Sequence, residues 1–296
     1  MSNVSYGLLT ACRNESAFIG ETIRSMVGQS LQPQVWLILD DGSTDGTHDI
    51  IRQLSRGHDW IRLHQLEPRH ERSFGAQYRA IMRGYEMIKN LPFDFIGALD
   101  ADISFESADY YKSLIGEFNG NPKLGIAGGA ICEKENGVFK ERRANDARSV
   151  AGGVQTFRRE VFEMIGGYVP LEYGGSDGLA VLMAKMKGWE VRSITGLRVL
   201  HHRPSSSADG VLRGAFRRGQ MDAAFGYHPL FMLMKCARRL AFKPPVAGSL
   251  LSLAGYCAYK LKNGRPVIPA DALDFLHKTQ MDRVSRAIRL KGFGKV

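Results

Sequence analysis

The chain has 296 residues, 44% apolar and 24% charged, and carries a net charge of +10 at neutral pH. That length buries a sizeable core as one large domain or two small ones, and neither a low-complexity tract nor a repeat of solenoid or propeller type is present. Charge is uneven: residues 1–200 hold 23 Lys+Arg against 25 Asp+Glu, net −2, whereas residues 201–296 hold 17 against 5, net +12, so a basic partner surface belongs to the last third. Cys12, Cys132, Cys236 and Cys257 stand far apart without a C-x-x-C pair, which suits free thiols in a reducing cytosol. No basic segment followed by a long apolar run opens the sequence, so export by a signal peptide is not expected.

In chain order, "SYGLLTA" reads as a strand, and "FIGETIRSMVGQ" as a helix with Ile19, Ile23, Met26 and Val27 on one face. "QVWLILD" is a second strand, ending in the turn "DGSTDGT", where Thr47 or Ser43 is expected to cap the helix "HDIIRQLS". "WIRLHQL" is a third strand, "SFGAQYRAIMRGYEMIKN" a longer helix and "FDFIGALD" a fourth strand. Such alternation implies a parallel sheet with helices on both faces and ligands beyond the carboxyl ends of its strands. Beyond Ser107 come a helix near "ADYYKSLIGEF", strands near "KLGIAGGAI" and "GVQTFR", helices "REVFEMIG" and "DGLAVLMAKMKG", and the strand-like "EVRSITGLRVLHH". In "LFMLMKCARRLAFK" the pattern puts Lys235, Arg238, Arg239 and Lys243 on one helical face. Leu230, Phe231, Leu233, Met234 and Ala237 fall mostly on the other, which makes a basic amphipathic helix. The longest mostly apolar run, Pro244 to Tyr259, is shorter than the roughly 20 residues a spanning helix needs, and suits a core or a single leaflet.

The stretch "GALDADISF" places Asp100 and Asp102 two residues apart, so an extended backbone aims both at one point. Like charges that close call for a cation or a raised pKa, and carboxylate oxygens suit Mg²⁺ or Mn²⁺ with phosphate and water in the other positions. The pair therefore reads as half of a metal–diphosphate site. No P-loop and no G-x-G-x-x-G follows the first strand, which argues against a nucleotide hydrolase or a dinucleotide oxidoreductase.

"TACRNE", "ILDDGSTDGT", an Arg-bearing helix and "ALDADI" follow four successive strands in an order and spacing that resembles the family 2 glycosyltransferases of GT-A fold, over roughly Val4 to Arg203. The resemblance implies an α/β fold with a Rossmann-like mixed sheet flanked by helices and a C-terminal basic helical extension. It divides the chain into a nucleotide-sugar half (1–105), an acceptor and catalytic half (106–225) and the extension (226–296). It implies that Thr10, Ala11, Cys12, Arg13, Asn14 and Glu15, with Asp41, Arg79, Asp100 and Ala101, bind the nucleotide sugar. Asp41 would accept a hydrogen bond from a uracil-type N–H, which favours a UDP-sugar; capping of the turn is the other reading of Asp41 and, more so, of Asp40. Family members carry an acidic pair at a later helix start; "GGSDGLA" keeps Asp177 as the base, with Ser176 replacing its partner and Glu172 in reserve. Asp100, Asp102 and one of His201 and His202, beside Arg203, would hold Mn²⁺ or Mg²⁺, since only one of two adjacent strand residues points inward.

The reaction so implied is an inverting transfer from a nucleoside-diphosphate sugar to a hydroxyl of a glycan or lipid-linked acceptor, in polysaccharide or glycoconjugate synthesis. A sugar nucleotidyltransferase and a non-catalytic binding partner of the same fold are the alternatives. The basic tail suits an anionic membrane surface on the cytoplasmic side, and no zinc-finger, RNP-like or helix-turn-helix signature points to nucleic acid. Packing on the catalytic domain or an oligomer contact is its other reading.

Overall fold

The computed structural model describes residues 4–67, 74–142, 145–203, 210–240 and 246–292. It forms two compact units, one of Met1–Glu172 with Ser176–Pro204 and one of Tyr173–Gly175 with Ser205–Val296.

The first unit begins with β1 (Tyr6–Cys12), α1 (Ile19–Val27), β2 (Val35–Asp40), α2 (Thr47–Leu54), β3 (Ile61–Gln65), α3 (Phe74–Ile88) and β4 (Phe95–Ala98). It continues through β5 (Ile103–Phe105), α4 (Tyr110–Gly120), β6 (Leu124–Glu135), β7 (Val138–Glu141), a 3₁₀ turn (Gly152–Val154), β8 (Thr156–Arg158), α5 (Arg159–Met164), α6 (Ser176–Met186) and β9 (Glu190–His201). Among the described residues these strands make one nine-stranded sheet in the order β3-β2-β1-β4-β8-β6-β9-β5, with β7 on β6. The expected parallel order holds for β3, β2, β1 and β4. Beyond β4 the sheet turns mixed, because β8 runs antiparallel to both β4 and β6, and β5 antiparallel to β9. Strands buried on both faces read as continuous apolar runs, as in "VWLILD", and Trp36, Tyr6, Tyr110, Tyr111, Phe118, Phe157 and Phe162 are wholly buried between sheet and helices. Buried tyrosines keep their hydroxyls paired: Tyr6 donates to the Leu31 carbonyl at 2.6 Å, and Tyr110 accepts from Gly129 N–H at 2.9 Å.

Two local expectations give way. Neither Thr47 nor Ser43 caps α2, whose N-cap is Gly46 at φ +88°. Instead Thr47 Oγ1 accepts from Glu15 N–H at 2.8 Å and Ser43 Oγ from Asn14 N–H at 3.0 Å, so the hydroxyls tie the loop after β2 to the loop after β1. Asp100 and Asp102 sit in a turn between β4 and β5 rather than in extended backbone. The hairpin β6–β7 turns on Asn136 and Gly137, both at positive φ, the "NG" chemistry of a tight hairpin.

The second unit contains α7 (Val211–Ala224), α8 (Pro229–Arg239), α9 (Ala247–Asn263) and α10 (Ala270–Gly292). α7 and α9 cross with backbones in contact: a Cβ on Gly219 would lie 1.8 Å from the Ser252 carbonyl oxygen, and one on Gly255 2.0 Å from that of Phe216. Ala223, Ala224, Met232, Cys236, Tyr256 and Tyr259 form the core of this unit. Here the amphipathic expectation holds only in part: Arg238 and Arg239 are exposed and Phe231 is buried as expected. Lys235 turns inward and binds buried Asp222 with contacts of 2.7 and 2.6 Å, while Leu230, Leu233 and Ala237 face out; Lys243 lies outside the described residues. The physical reason is Asp222, since a carboxylate buried in a helical core needs a cation more than the surface does. No described helix is long and apolar enough to cross a membrane.

Arg158 fastens the far end of the sheet unit. It donates to the carbonyls of Leu124 (2.8 Å), Phe118 (2.5 Å) and Asn121 (3.1 Å) and lies over the rings of Phe95 and Phe118. Arg158→Ala removes one hydrogen bond from each of those carbonyls and the contact with both rings, and is expected to cost roughly 2–4 kcal/mol. The check is urea denaturation followed by tryptophan fluorescence, which reports this unit because Trp36, Trp60 and Trp189 all lie in it.

Candidate active site

Three strands end at one edge of the sheet, and their loops carry the polar residues. After β1, Asn14 takes a left-handed conformation, φ 56°, and its Oδ1 accepts from Thr44 N–H at 2.8 Å. After β2, Asp40 accepts from Ser43 N–H at 2.9 Å and lies 3.3 Å from His48 Nδ1, wholly buried. Asp41 is buried beside it and donates its N–H to the Cys12 carbonyl. After β4, Leu99 pairs with Leu9 through its N–H and with Thr10 Oγ1 through its carbonyl, and so the turn that carries Asp100, Ala101 and Asp102 begins from a fixed point.

Strand register brings the rest. His201 stands opposite Ile103 of β5 and opposite Glu133 of β6. Its Nε2 lies 3.5 Å from Asp102 Oδ1 and its Nδ1 3.7 Å from Glu133 Oε1. His202, on the other side of the strand, bonds Ser104 Oγ at 2.8 Å and faces Glu21 and Phe139 instead. Arg203 pairs with Glu15 and reaches within 3.5 Å of Asp102 Oδ2. Asp100 accepts from Gln77 Nε2 of α3 at 2.6 Å. Asp177 lies in the first turn of α6, and the 3₁₀ turn separates it from Asp100. A Cβ on Gly153 would lie 2.2 Å from Asp100 Oδ2, and one on Gly152 3.0 Å from Asp177 Cβ and 2.5 Å from the Tyr78 hydroxyl. The double glycine is what lets the two carboxylates approach the same backbone.

Glu15, Asp100, Asp102 and Asp177 therefore crowd one partly buried region. Burial pushes Glu15 up to about 7 against the pull of Arg203, with Asp102 and Asp100 adding to the rise. Asp100 is raised by burial and by Asp102, and Asp177 by burial, against backbone hydrogen bonds and the field of Arg142. Burial lowers His201, but Asp102, Asp100 and Glu133 outweigh it and leave its pKa raised.

Other expected site residues are placed differently. Thr10 is wholly buried, its hydroxyl donating to Leu99 and accepting from Trp36 Nε1, and Cys12 is buried with its thiol on the Leu39 carbonyl and its pKa raised, chiefly by burial. Arg79 bonds Glu172 at 2.5 Å, which brings two expected site residues together with each other. Ala11 and Arg13 are half-buried, and Ala101 is buried with its carbonyl accepting from Thr22 Oγ1. Gln77, Glu133, Arg142 and Gly152–Gly153 were not singled out in the sequence; the double glycine of "AGGVQ" ahead of a strand was the one signal available.

A mixed sheet with this set of loops at its carboxyl edge is the architecture of the GT-A glycosyltransferases. A mannosyltransferase from Pyrobaculum calidifontis, solved with GDP-mannose and Mn²⁺, matches 98% of this chain and 79% of its own at 16% identity and a TM-score of 0.55. Staphylococcus aureus TarS 1–349, solved with UDP-GlcNAc, matches 88% of this chain and 73% of its own at 16% identity and a TM-score of 0.52. The sequence goes further than the fold: residues 8–170 match glycosyl transferase family 2, and the chain belongs to that family. Among curated relatives, the poly-β-1,6-N-acetyl-D-glucosamine synthase of Staphylococcus aureus (strain COL) is 30% identical over 149 residues, half of this chain. The match spans about a third (31%) of that synthase's length.

The double glycine gives a direct check. Gly153→Ala forces Asp100 out of its place, and such overpacking costs typically about 1–3 kcal/mol. Donor-nucleotide binding by calorimetry is expected to weaken at least tenfold, while Gly116→Ala in α4, with open space around it and an ordinary φ, leaves binding unchanged.

Proposed function

We propose that this family 2 glycosyltransferase moves a sugar, with inversion, from a nucleoside-diphosphate sugar to a hydroxyl of a glycan or lipid-linked acceptor in polysaccharide or glycoconjugate synthesis. UDP is the favoured carrier, as Asp41 after β2 is the acceptor for a uracil-type N–H, and TarS was solved with UDP-GlcNAc. The observation that carries the reading is the meeting of Asp102, Asp100 and His201 at the end of β4 with Asp177 across Gly152–Gly153.

Asp102 and His201 fit a divalent ion: a carboxylate oxygen and an imidazole nitrogen suit Mn²⁺, and their 3.5 Å separation is that of near neighbours around one centre. Among the described residues no group of three or more His, Cys, Asp or Glu forms a complete cage, so diphosphate oxygens and water would fill the other positions. Mn²⁺ or Mg²⁺ bound there supplies positive charge to the departing diphosphate. Asp177 takes the proton of the acceptor hydroxyl, whose oxygen bonds the anomeric carbon as the bond from that carbon to the diphosphate oxygen breaks. Ser176, where relatives carry an acid, instead accepts from Leu171 N–H at 3.0 Å and fixes the start of α6, so orientation of Asp177 comes from the helix terminus and the Gly152 backbone. The acceptor's lipid and a peripheral place at an anionic membrane surface belong to the same reading.

Asp177→Asn is expected to lower nucleoside-diphosphate release by about 10²–10⁴, the usual weight of a general base. Its carboxyl is harder to ionise folded than unfolded, so between the ordinary value and the raised one stability falls as pH rises. The Asn variant should accordingly melt no lower than wild type at neutral pH, by differential scanning fluorimetry, which separates lost chemistry from lost folding. Unchanged release would remove Asp177 from the reaction.

The same shift sets a pH profile. Asp177 works ionised, so kcat/KM should fall on acidification with a midpoint above the ordinary aspartate value of 3.8. A plateau extending down to that value contradicts the assignment.

A further inference from the structure

We infer that the exposed faces of α8 and α9 dock on an anionic lipid bilayer, leucines entering the interface and flanking Lys and Arg meeting the headgroups. Among the described residues, ten of the thirteen large apolar side chains left exposed belong to the helical unit, about a third of the chain. They are ordered, not scattered. On α8 and its C-cap the outward residues are Leu230, Leu233, Ala237 and Leu240; on α9 they are Leu250, Ala254, Cys257 and Leu261, with Leu233 52%, Leu250 60% and Leu261 90% exposed. Steps of three and four residues make each set one stripe along its helix.

These stripes are surplus to the unit's own core. α8 already buries Phe231, Met232 and Cys236 on its opposite side, and α9 buries Ser252, Tyr256 and Tyr259. Ser249 Oγ donates to the Cys236 carbonyl at 3.0 Å and joins the two helices, leaving both stripes outward.

Charge selects the occupant. From Ala223 to Ala270 the sequence has seven Lys and Arg and no Asp or Glu. Lys235 is spent inside on Asp222, but Arg238 and Arg239 are exposed at the end of α8, and Lys262 and Arg265 at and just past the end of α9. Leucine stripes with cations at their margins are the pattern of helices lying in a bilayer interface, where negative lipids supply the counter-charge. Two copies of this chain apposed through the same face would bring cations against cations. Nucleic acid has the charge but no use for the leucines.

Docking deepens the proposal that the enzyme works at a membrane, and it does not depend on Asp177: Asp177→Asn is expected to float like wild type, so failure of the chemistry and failure of the surface give different results. The test is flotation of the full chain with phosphatidylcholine vesicles, with and without phosphatidylglycerol. Wild type should rise with the anionic vesicles and stay behind with the neutral ones. The charge-neutral pair Leu233→Gln/Leu250→Gln, and separately Arg238→Ala/Arg239→Ala, should each lose roughly tenfold or more in apparent affinity. Both pairs sit on the exterior, and unchanged UDP binding and melting temperature confirm that they fold. The inference is overturned if wild type fails to float with anionic vesicles at low salt, or if the Gln pair binds as well as wild type. It is equally overturned if lipid-free wild type is a dimer that the Gln pair makes monomeric, which assigns the stripes to a second copy.

Discussion

Carboxylates repel, and Glu15, Asp100, Asp102 and Asp177 are nonetheless held in one partly buried region beside the Arg203 guanidinium and the His201 imidazole. Much of the catalytic edge follows from that tension. Burial keeps water from screening the charges, and the carboxyls of Glu15, Asp100 and Asp177 are raised by it. Such a cluster stays together only if the scaffold is stiffer than the repulsion is strong.

Stiffness comes from strand register and from hydrogen bonds between segments far apart in sequence. The β5–β9 and β6–β9 registers pin His201 between Asp102 and Glu133. Hydroxyls of Ser43 and Thr47 lock the loop after β1 to the loop after β2, and Gln77 reaches from α3 to hold Asp100. Gly152 and Gly153 remove the two Cβ atoms that would keep Asp100 and Asp177 apart. Glu133 Oε1 stands 3.7 Å from His201 Nδ1, on the side of the ring opposite Asp102.

The helical unit shows a similar economy of placement with a different result. Burying Asp222 draws Lys235 inward, and the helix then turns a leucine stripe to the outside. Gly219 and Gly255 let α7 and α9 meet backbone to backbone, so little side-chain volume is needed between them and larger apolar groups remain for the exterior. A compact core of small residues and tyrosines thus coexists with an exposed apolar surface rich in cations at its edges.

The sequence by itself determined the alternation of strands and helices through β4, the acidic turn after it, the family, and the charge split between the first two hundred residues and the rest, because these depend on local pattern and composition. It also determined that just one of His201 and His202 could face the acidic turn, since strand side chains alternate. Which one was decided by long-range register, as were the roles of Glu133 and Gln77, which lie far in sequence from the residues they touch. The three-residue strand β5 was too short to carry a period, and the α2 cap was taken by a glycine while its hydroxyls bonded across to another loop. On α8 the helical period was legible but which residues it buried was not: the carboxylate of Asp222, seven residues before the helix, drew Lys235 inward, while Arg238 and Arg239 stayed exposed with the leucines.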